Sequence, residues 1–361
     1  MNLPKKKNLK RNFALRNDRL RVSDFDYPLP EELIATHPCQ RRDESRLLVL
    51  HRKTGRVEHR LFRDITDYLR KGDVVVLNNT RVLKARLLGH RETGGKAELL
   101  FLRSLDERRF LCLIGTRGHA KCGEVFVFGD GAFKVRVLQK DEFGQFVVEV
   151  VEGDVYEAMR RYGLVPLPPY ITKKRGTKQT TSLDEQRYQT VFAAENGSAA
   201  APTAGLHFTH SLLERIKEAG VSVLFVTLHI GYATFRPVKC EYLNEHKMHE
   251  EVYRVEEDVW RRIEDARRAG GRIFCVGTTT VRTLETVART GKLAGTTDLF
   301  IYPPFEFRVT DCLVTNFHLP RSTLLMLVCA FGGREAVLQA YREAVAQRYR
   351  FYSYGDAMLI L

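Results

Sequence analysis

Long apolar runs are what this sequence has least of. The longest near the C-terminus, residues 324–331, is eight residues, and a membrane span needs about 20. A basic opening is followed by no apolar stretch, so a secretory signal is not expected, and the chain reads as cytoplasmic. None of the seven cysteines stands in C-x-x-C spacing, and their number is odd. That speaks against zinc or iron–sulfur ligation and fits reduced thiols. The zinc motif H-E-x-x-H is absent: His246 and His249 precede Glu250 and Glu251 in the order H-x-x-H-E-E, so no metal site is expected. G-x-G-x-x-G is missing, although residues 273–277 superficially resemble a nucleotide-binding strand and its glycine turn. G-x-S-x-G is missing too, which argues against a serine nucleophile. No zinc-finger spacing, RNP-type aromatic motif or KH loop occurs. No internal repeat is regular enough to indicate a symmetric barrel.

What is present is a chain of 361 residues with 44% hydrophobic content and a formal charge of +14. That composition belongs to a folded globular protein with room for one large core and a smaller domain. The positive charge gathers in two places. Residues 1–22 carry eight lysines and arginines against Asp18 alone, and residues 160–178 carry Arg160, Arg161, Lys173, Lys174, Arg175 and Lys178 with no acid. Such fields attract polyanions. The plainer reading is a basic surface that keeps an enzyme in solution.

Two textures alternate along the chain. Residues 82–151 hold five or six short apolar runs separated by glycine or charged turns, with Asp130-Gly131 as a tight-turn signal. An inserted all-β barrel or sandwich is expected there, because closure removes exposed strand edges. On either side, buried-strand runs alternate with helical patterns. Residues 73–77 read as a buried strand, and 155–162 as a short helix closed by Gly163. Ser211 with Glu214 reads as a capping box for the helix that ends at Gly220. The run 221–228 reads as a strand, as does 273–276. Residues 172–186 read as an exposed polar loop. The flanks argue for a mostly parallel sheet or an irregular α/β barrel. The expected domains are a basic tail at 1–21, a discontinuous α/β domain at 22–81 and 152–361, and a β insert at 82–151.

Parallel α/β folds bind ligands beyond the carboxyl ends of their strands. Four polar clusters stand at such ends. They are Asn78-Asn79-Thr80-Arg81; Thr227 with His229; Gly277-Thr278-Thr279-Thr280 with Arg282 and Glu285; and Thr315-Asn316-Phe317-His318. His229 follows a strand-like run and precedes a glycine loop. It is either a hydrogen-bonded core ring or a catalytic group on a rigid element. His207 lies in the loop A-P-T-A-G-L-H-F-T, where it either contacts a ligand or caps local backbone. Arg282 and Glu285, three apart, share a helix face, and the plain alternative is a surface ion pair.

Several segments together carry a resemblance. They include D-F-D-Y-P-L-P at 24–30, S-R-L-L-V-L at 45–50, N-N-T-R-V at 78–82, Y-G-L-V-P-L-P-P-Y-I at 162–171 and A-P-T-A-G-L-H-F-T at 201–209. Further along stand V-T-L-H-I-G at 226–231, H-K-M-H-E-E at 246–251, V-G-T-T-T-V-R-T-L-E at 276–285, T-N-F-H-L-P-R-S-T-L-L-M-L at 315–327 and Y-G-D-A-M-L-I at 354–360. The chain resembles the S-adenosylmethionine:tRNA ribosyltransferase-isomerase family of queuosine biosynthesis. The resemblance implies an irregular α/β barrel with an inserted small antiparallel β-barrel. It implies transfer and isomerisation of the ribosyl part of S-adenosylmethionine onto 7-aminomethyl-7-deazaguanine at the tRNA wobble position. S-adenosylmethionine would then be a consumed substrate, and no cofactor is expected. In that light His229 is the leading proton-transfer candidate, with His207, His249 and His318 as rivals. Asn79, Thr278, Arg282, Glu285 and Asn316 are expected to orient substrate, and Glu251 or Glu285 to attract a cationic group. Arg46 and Arg81 are expected to meet a phosphate or the methionine carboxylate, and Lys173, Lys174 and Arg175 to contact tRNA. A monomer is expected. The alternatives are an S-adenosylmethionine-dependent RNA methyltransferase and a non-catalytic tRNA-binding protein.

Overall fold

The structure is a computed structural model that describes residues 20–141, 144–231 and 238–361. Most of the basic tail and residues 232–237 of the loop after His229 lie outside the described residues.

In chain order the strands are β1 (Arg46–His51), β2 (Arg56–Leu61), β3 (Val74–Asn78), β4 (Thr80–Val82), β5 (Arg86–Arg91) and β6 (Lys96–Ser104). There follow β7 (Arg109–Thr116), β8 (Val125–Phe128), β9 (Phe133–Lys140), β10 (Phe146–Glu152), β11 (Glu195–Ser198) and β12 (Ser222–Leu228). The last are β13 (Glu251–Arg254), β14 (Ile273–Val276), β15 (Ala294–Thr297), β16 (Cys312–Asn316) and β17 (Ala357–Ile360). The α-helices are α1 (Val155–Tyr162), α2 (Pro169–Arg175), α3 (Ser182–Arg187), α4 (His210–Glu218), α5 (Glu257–Arg268), α6 (Thr278–Thr290), α7 (Thr323–Gly332) and α8 (Arg334–Ala346).

Two compact units divide the described residues. One draws on residues 20–79, 202–228 and 238–361, the other on residues 80–141, 144–201 and 229–231. Each is described by itself.

The larger unit is built on a nine-stranded sheet in the order β15-β13-β12-β3-β14-β16-β17-β1-β2. Its centre, β12-β3-β14-β16, is parallel throughout. Every residue of β3, β14 and β16 is buried. This is why those stretches read as unbroken apolar runs and not as alternating ones. Helix α6 packs on β3, β12 and β14, and α4 packs on β12. The remaining pairings are antiparallel except β17 with β1. The expected α/β barrel is thus realised as a mixed sheet with two ends. Among the described residues no single helix is long and apolar enough to cross a membrane.

The smaller unit holds a closed six-stranded antiparallel barrel, β10-β7-β6-β5-β8-β9. Phe101, Phe110, Phe126, Phe128, Phe133 and Phe146 fill it. Strand β9 alternates between buried and more open positions along its first half, as a strand with one face on the core must. Helix α1 contributes Val155, Ala158 and Met159 to the same core. Strands β4 and β11 form a separate parallel pair.

Two local expectations change. The capping residue of α4 is Thr209, whose hydroxyl accepts from the Leu212 amide at 3.1 Å. Ser211 lies inside the first turn, so the S-x-x-E spacing points two residues past the true cap. Residues 172–186 are not one exposed loop. Pro169 occupies the first turn of α2, where its missing N–H costs nothing, and α3 follows with Thr181 as its cap. Arg175 reaches from the end of α2 to Asp184 on α3, at 2.8 and 3.0 Å. The cap assignment makes a prediction. Thr209→Ala costs about 1 kcal/mol of local stability and Ser211→Ala less than about 0.5. Amide hydrogen exchange along α4 separates the two.

Candidate active site

Because β12, β3, β14 and β16 are parallel, their carboxyl ends share one edge of the sheet, and polar side chains gather there. Asn78 ends β3 and is buried. Its carbonyl oxygen accepts from the Leu228 amide at 3.1 Å, and its amide donates to the Leu228 carbonyl at 3.0 Å and to the Thr279 hydroxyl at 3.2 Å. One side chain therefore ties the ends of three elements together. Asn79 accepts from the Thr227 hydroxyl at 2.7 Å. Gly277 turns the chain from β14 into α6 at φ +86°, a conformation that glycine adopts without cost. Thr278 opens the helix, nearly buried, where the first amides of α6 face the edge.

At the end of β16 lies a polar chain with a defined polarity. The Asn316 amide donates to the Tyr352 carbonyl at 3.0 Å and meets His207 Nε2 at 3.3 Å. Nε2 must then be the acceptor and Nδ1 must carry the proton. Nδ1 lies 2.7 Å from the Ser45 hydroxyl, which itself donates to the Arg42 carbonyl at 3.3 Å. The His207 ring stacks on Phe62 with centroids 4.9 Å apart. Asn316 Oδ1 is buried with no hydrogen-bond partner among the described residues. His318 is also buried, with Nε2 2.8 Å from the Thr315 hydroxyl. Burial pushes both imidazoles down to about 3, and the Arg350 and Arg42 charges add to this at His207. Both rings are neutral at pH 7.

The charged candidates of this unit are largely engaged by the fold. Arg282 pairs with Glu251 out of solvent and donates to the carbonyls of Leu299 and Thr297 at 3.0 and 3.2 Å. Glu285 is fully buried. Its carboxylate accepts from the amides of Arg308, Val309 and Thr310, from the Thr310 hydroxyl and from Arg289. Arg282 and Glu285 share a helix but pair with different partners. The Arg46 guanidinium lies 3.7 Å over the Tyr349 ring and donates to the Gln347 carbonyl at 2.7 Å. His249 is half-buried in the segment before β13.

In the smaller unit His229 is half-buried. Its Nδ1 lies 2.8 Å from the buried Thr80 hydroxyl, and Nε2 has no hydrogen-bond partner among the described residues. The ring rests against Gly197 of β11. A Cβ there would lie 2.7–2.9 Å from three ring atoms. Burial lowers the imidazole's proton affinity, and the Glu195 carboxylate opposes this in part. Arg81 is exposed and donates to the Ala193 carbonyl. Lys173 and Lys174 are exposed at the end of α2, while Arg175 is held by Asp184. Thr80 stands in one of the polar strand-end clusters, but Gly197 carries no signal of its own in the sequence; a glycine in E-N-G-S shows its purpose only when the histidine is seen against it.

A cavity of about 630 Å³ lies at the opposite, amino edge of the sheet, lined by Glu264, Arg267, Arg268, Arg272 and Asp311. Parallel sheets bind ligands at the other edge, so the strand-end cluster is the better candidate.

Two outcomes follow from this geometry. Glu285→Ala strands the buried amides of Val309 and Thr310 at about 1–3 kcal/mol each and lowers the melting temperature sharply. A purely substrate-binding role would leave it unchanged. His207 and His318 take up protons near 6.5 when unfolded but only near 3 when folded. Their neutral burial therefore costs nothing above pH 6.5 and destabilises progressively as pH falls through that window. Melting temperature measured between pH 7 and about 4 should fall less steeply in His207→Asn than in the wild type.

The comparisons with known proteins span nearly the whole molecule. Residues 22–360 match the family model described as queuosine biosynthesis protein. A protein of Symbiobacterium thermophilum named S-adenosylmethionine:tRNA ribosyltransferase-isomerase is 53% identical over 95% of this chain and all of its own length. One of the same name from Acetivibrio thermocellus is 50% identical over 94% of this chain and all of its own. Among solved structures, S-adenosylmethionine tRNA ribosyltransferase from Thermotoga maritima superposes with a TM-score of 0.54, at 42% identity, over 94% of this chain and all of its own. The chain belongs to the queuosine biosynthesis family of S-adenosylmethionine:tRNA ribosyltransferase-isomerases.

Proposed function

We propose that this protein transfers the ribosyl part of S-adenosylmethionine to 7-aminomethyl-7-deazaguanine at the wobble position of tRNA. In the same reaction it isomerises that ribose, giving epoxyqueuosine with release of adenine and methionine. The observation that carries this reading is the match along residues 22–360 to a family whose members bear that name. S-adenosylmethionine is consumed, and its methyl group leaves with methionine. The formal charge of +14 favours encounter with a polyanion. The enzyme is read as a cytoplasmic monomer.

The chemistry requires a base for a C5′ proton, which the neighbouring sulfonium acidifies. Loss of that proton leaves C5′ nucleophilic, so the amine of the modified base bonds to another carbon of the rearranging ribose, while adenine leaves C1′ and methionine leaves C5′. His229 suits the proton transfer. It is neutral near pH 7, one ring nitrogen is fixed by Thr80, and the other is open among the described residues. His207 and His318 are sealed in the core with very low proton affinity, which suits a scaffold better than a base. His249 remains the rival. Asn79, Thr278 and Asn316 are assigned to substrate orientation. Glu251, Glu285 and Arg282 act through the fold, and Lys173 and Lys174 meet tRNA phosphates.

His229→Ala should lower kcat by about 10²–10⁴ with the fold intact. Gly197→Ala should act in the same direction, because its Cβ displaces the ring. Replacing Lys173 and Lys174 together should weaken tRNA binding and reduce its salt slope by about 1–2. The reaction itself is tested by mass analysis of the wobble nucleoside after incubation with S-adenosylmethionine and tRNA bearing the aminomethyl base. Epoxyqueuosine is the expected product. A methylated nucleoside would assign a methyltransferase instead, and tight binding without turnover a binding protein.

A further inference from the structure

The antiparallel pair β13 and β15 flanks β12, with Leu228 opposite Tyr253 and Glu251 opposite Thr297. This register brings the start of β13 and the end of β15 to the carboxyl edge of the parallel strands. The segment before β13 carries His246. The segment after β15 carries Phe300, Ile301 and Tyr302. Ile301 is buried in the core, whereas its neighbours Phe300 and Tyr302 remain half-exposed, as does His246. Phe300 meets the other two rings: His246 and Phe300 have centroids 5.1 Å apart at 67°, and Phe300 and Tyr302 4.7 Å apart at 46°. Nearby Phe305 and Phe307 differ, since Phe331 and Arg289 are packed against them. Phe300 and Tyr302 show no such cover among the described residues.

The platform is also held rigid. The buried Arg282 binds Glu251 at the start of β13 and the carbonyls of Thr297 and Leu299 just before Phe300. The Leu299 amide donates to the Thr297 hydroxyl at 3.2 Å. One guanidinium thus fixes both segments at their roots, and the two carbonyls it also binds help to offset the cost of burying the pair. His246 is held mainly neutral by burial, which suits a ring that offers a face and not a charge.

We propose that Phe300 and Tyr302, backed by His246, form a stacking platform for a nucleobase at the carboxyl edge of the sheet. Aromatic faces recognise flat heterocycles without regard to hydrogen-bond pattern. The inference rests on the function proposed above, whose two substrates each supply such a ring: the adenine of S-adenosylmethionine and an unstacked base of the tRNA anticodon loop.

The test measures equilibrium binding of S-adenosylmethionine alone, and of an anticodon stem-loop RNA alone, to the full chain. The proteins compared are the wild type, Phe300→Leu, Tyr302→Leu and Phe300→Tyr. Leucine keeps apolar bulk without a flat face. Loss of about tenfold in one of the two affinities is expected from each leucine variant, with Phe300→Tyr close to wild type. Loss confined to S-adenosylmethionine assigns adenine, and loss confined to the RNA assigns a tRNA base; either supports the platform. Binding unchanged in both leucine variants overturns the platform and leaves the proposed reaction standing. A folded wild type that binds neither compound overturns the reaction, and the platform with it.

Discussion

Parallel pairing of β12, β3, β14 and β16 is the constraint on which the rest depends. It buries β3, β14 and β16 on both faces and sends four chain ends to one edge. Backbone groups at those ends have left the ladder and need other partners. Asn78 supplies several at once, by bracketing Leu228 and reaching Thr279. The polar character of the edge is thus first a requirement of the fold. The part open to chemistry is what remains once those needs are met.

That distinction sorts the charged residues. Glu285 receives three backbone amides and an arginine, and nothing of its carboxylate is left for a ligand. Arg282 and Glu251 neutralise each other where an isolated charge would be prohibitive. The motif D-F-D-Y-P-L-P has a similar structural role. Tyr27 donates to the His318 carbonyl, and Asp26 binds Arg321, so this early segment locks onto the turn after β16. Thr278 and Asn316 Oδ1, by contrast, keep polar capacity at the strand ends. In the smaller unit His229 keeps a ring nitrogen open among the described residues.

Periodicity and turn chemistry made much of this legible beforehand. The all-β texture of 82–151 gave a six-stranded closed barrel, and the buried run at 73–77 became β3 with a shift of one residue. Polar clusters at strand ends were visible because parallel strands end in recognisable glycine and threonine turns. Pairings between residues far apart in sequence were not visible. No local pattern joins Arg282 to Glu251, Ser45 to His207, or Arg175 to Asp184. The spacing of Arg282 and Glu285 suggested a shared role, yet tertiary contacts gave them separate partners. Phe300 and Tyr302 stand in no motif, and only the register of β13 and β15 brings them to the edge.

We propose that a neutral His229, positioned by Thr80 and Gly197, removes the C5′ proton of S-adenosylmethionine. It is tested most directly with S-adenosylmethionine deuterated at C5′, turned over by the wild type and by His229→Ala under single-turnover conditions. A primary isotope effect and loss of one C5′ deuterium are expected in the wild type, with neither deuterium loss nor turnover in the folded variant. Turnover by His229→Ala at the wild-type rate, with the same isotope effect, would contradict it.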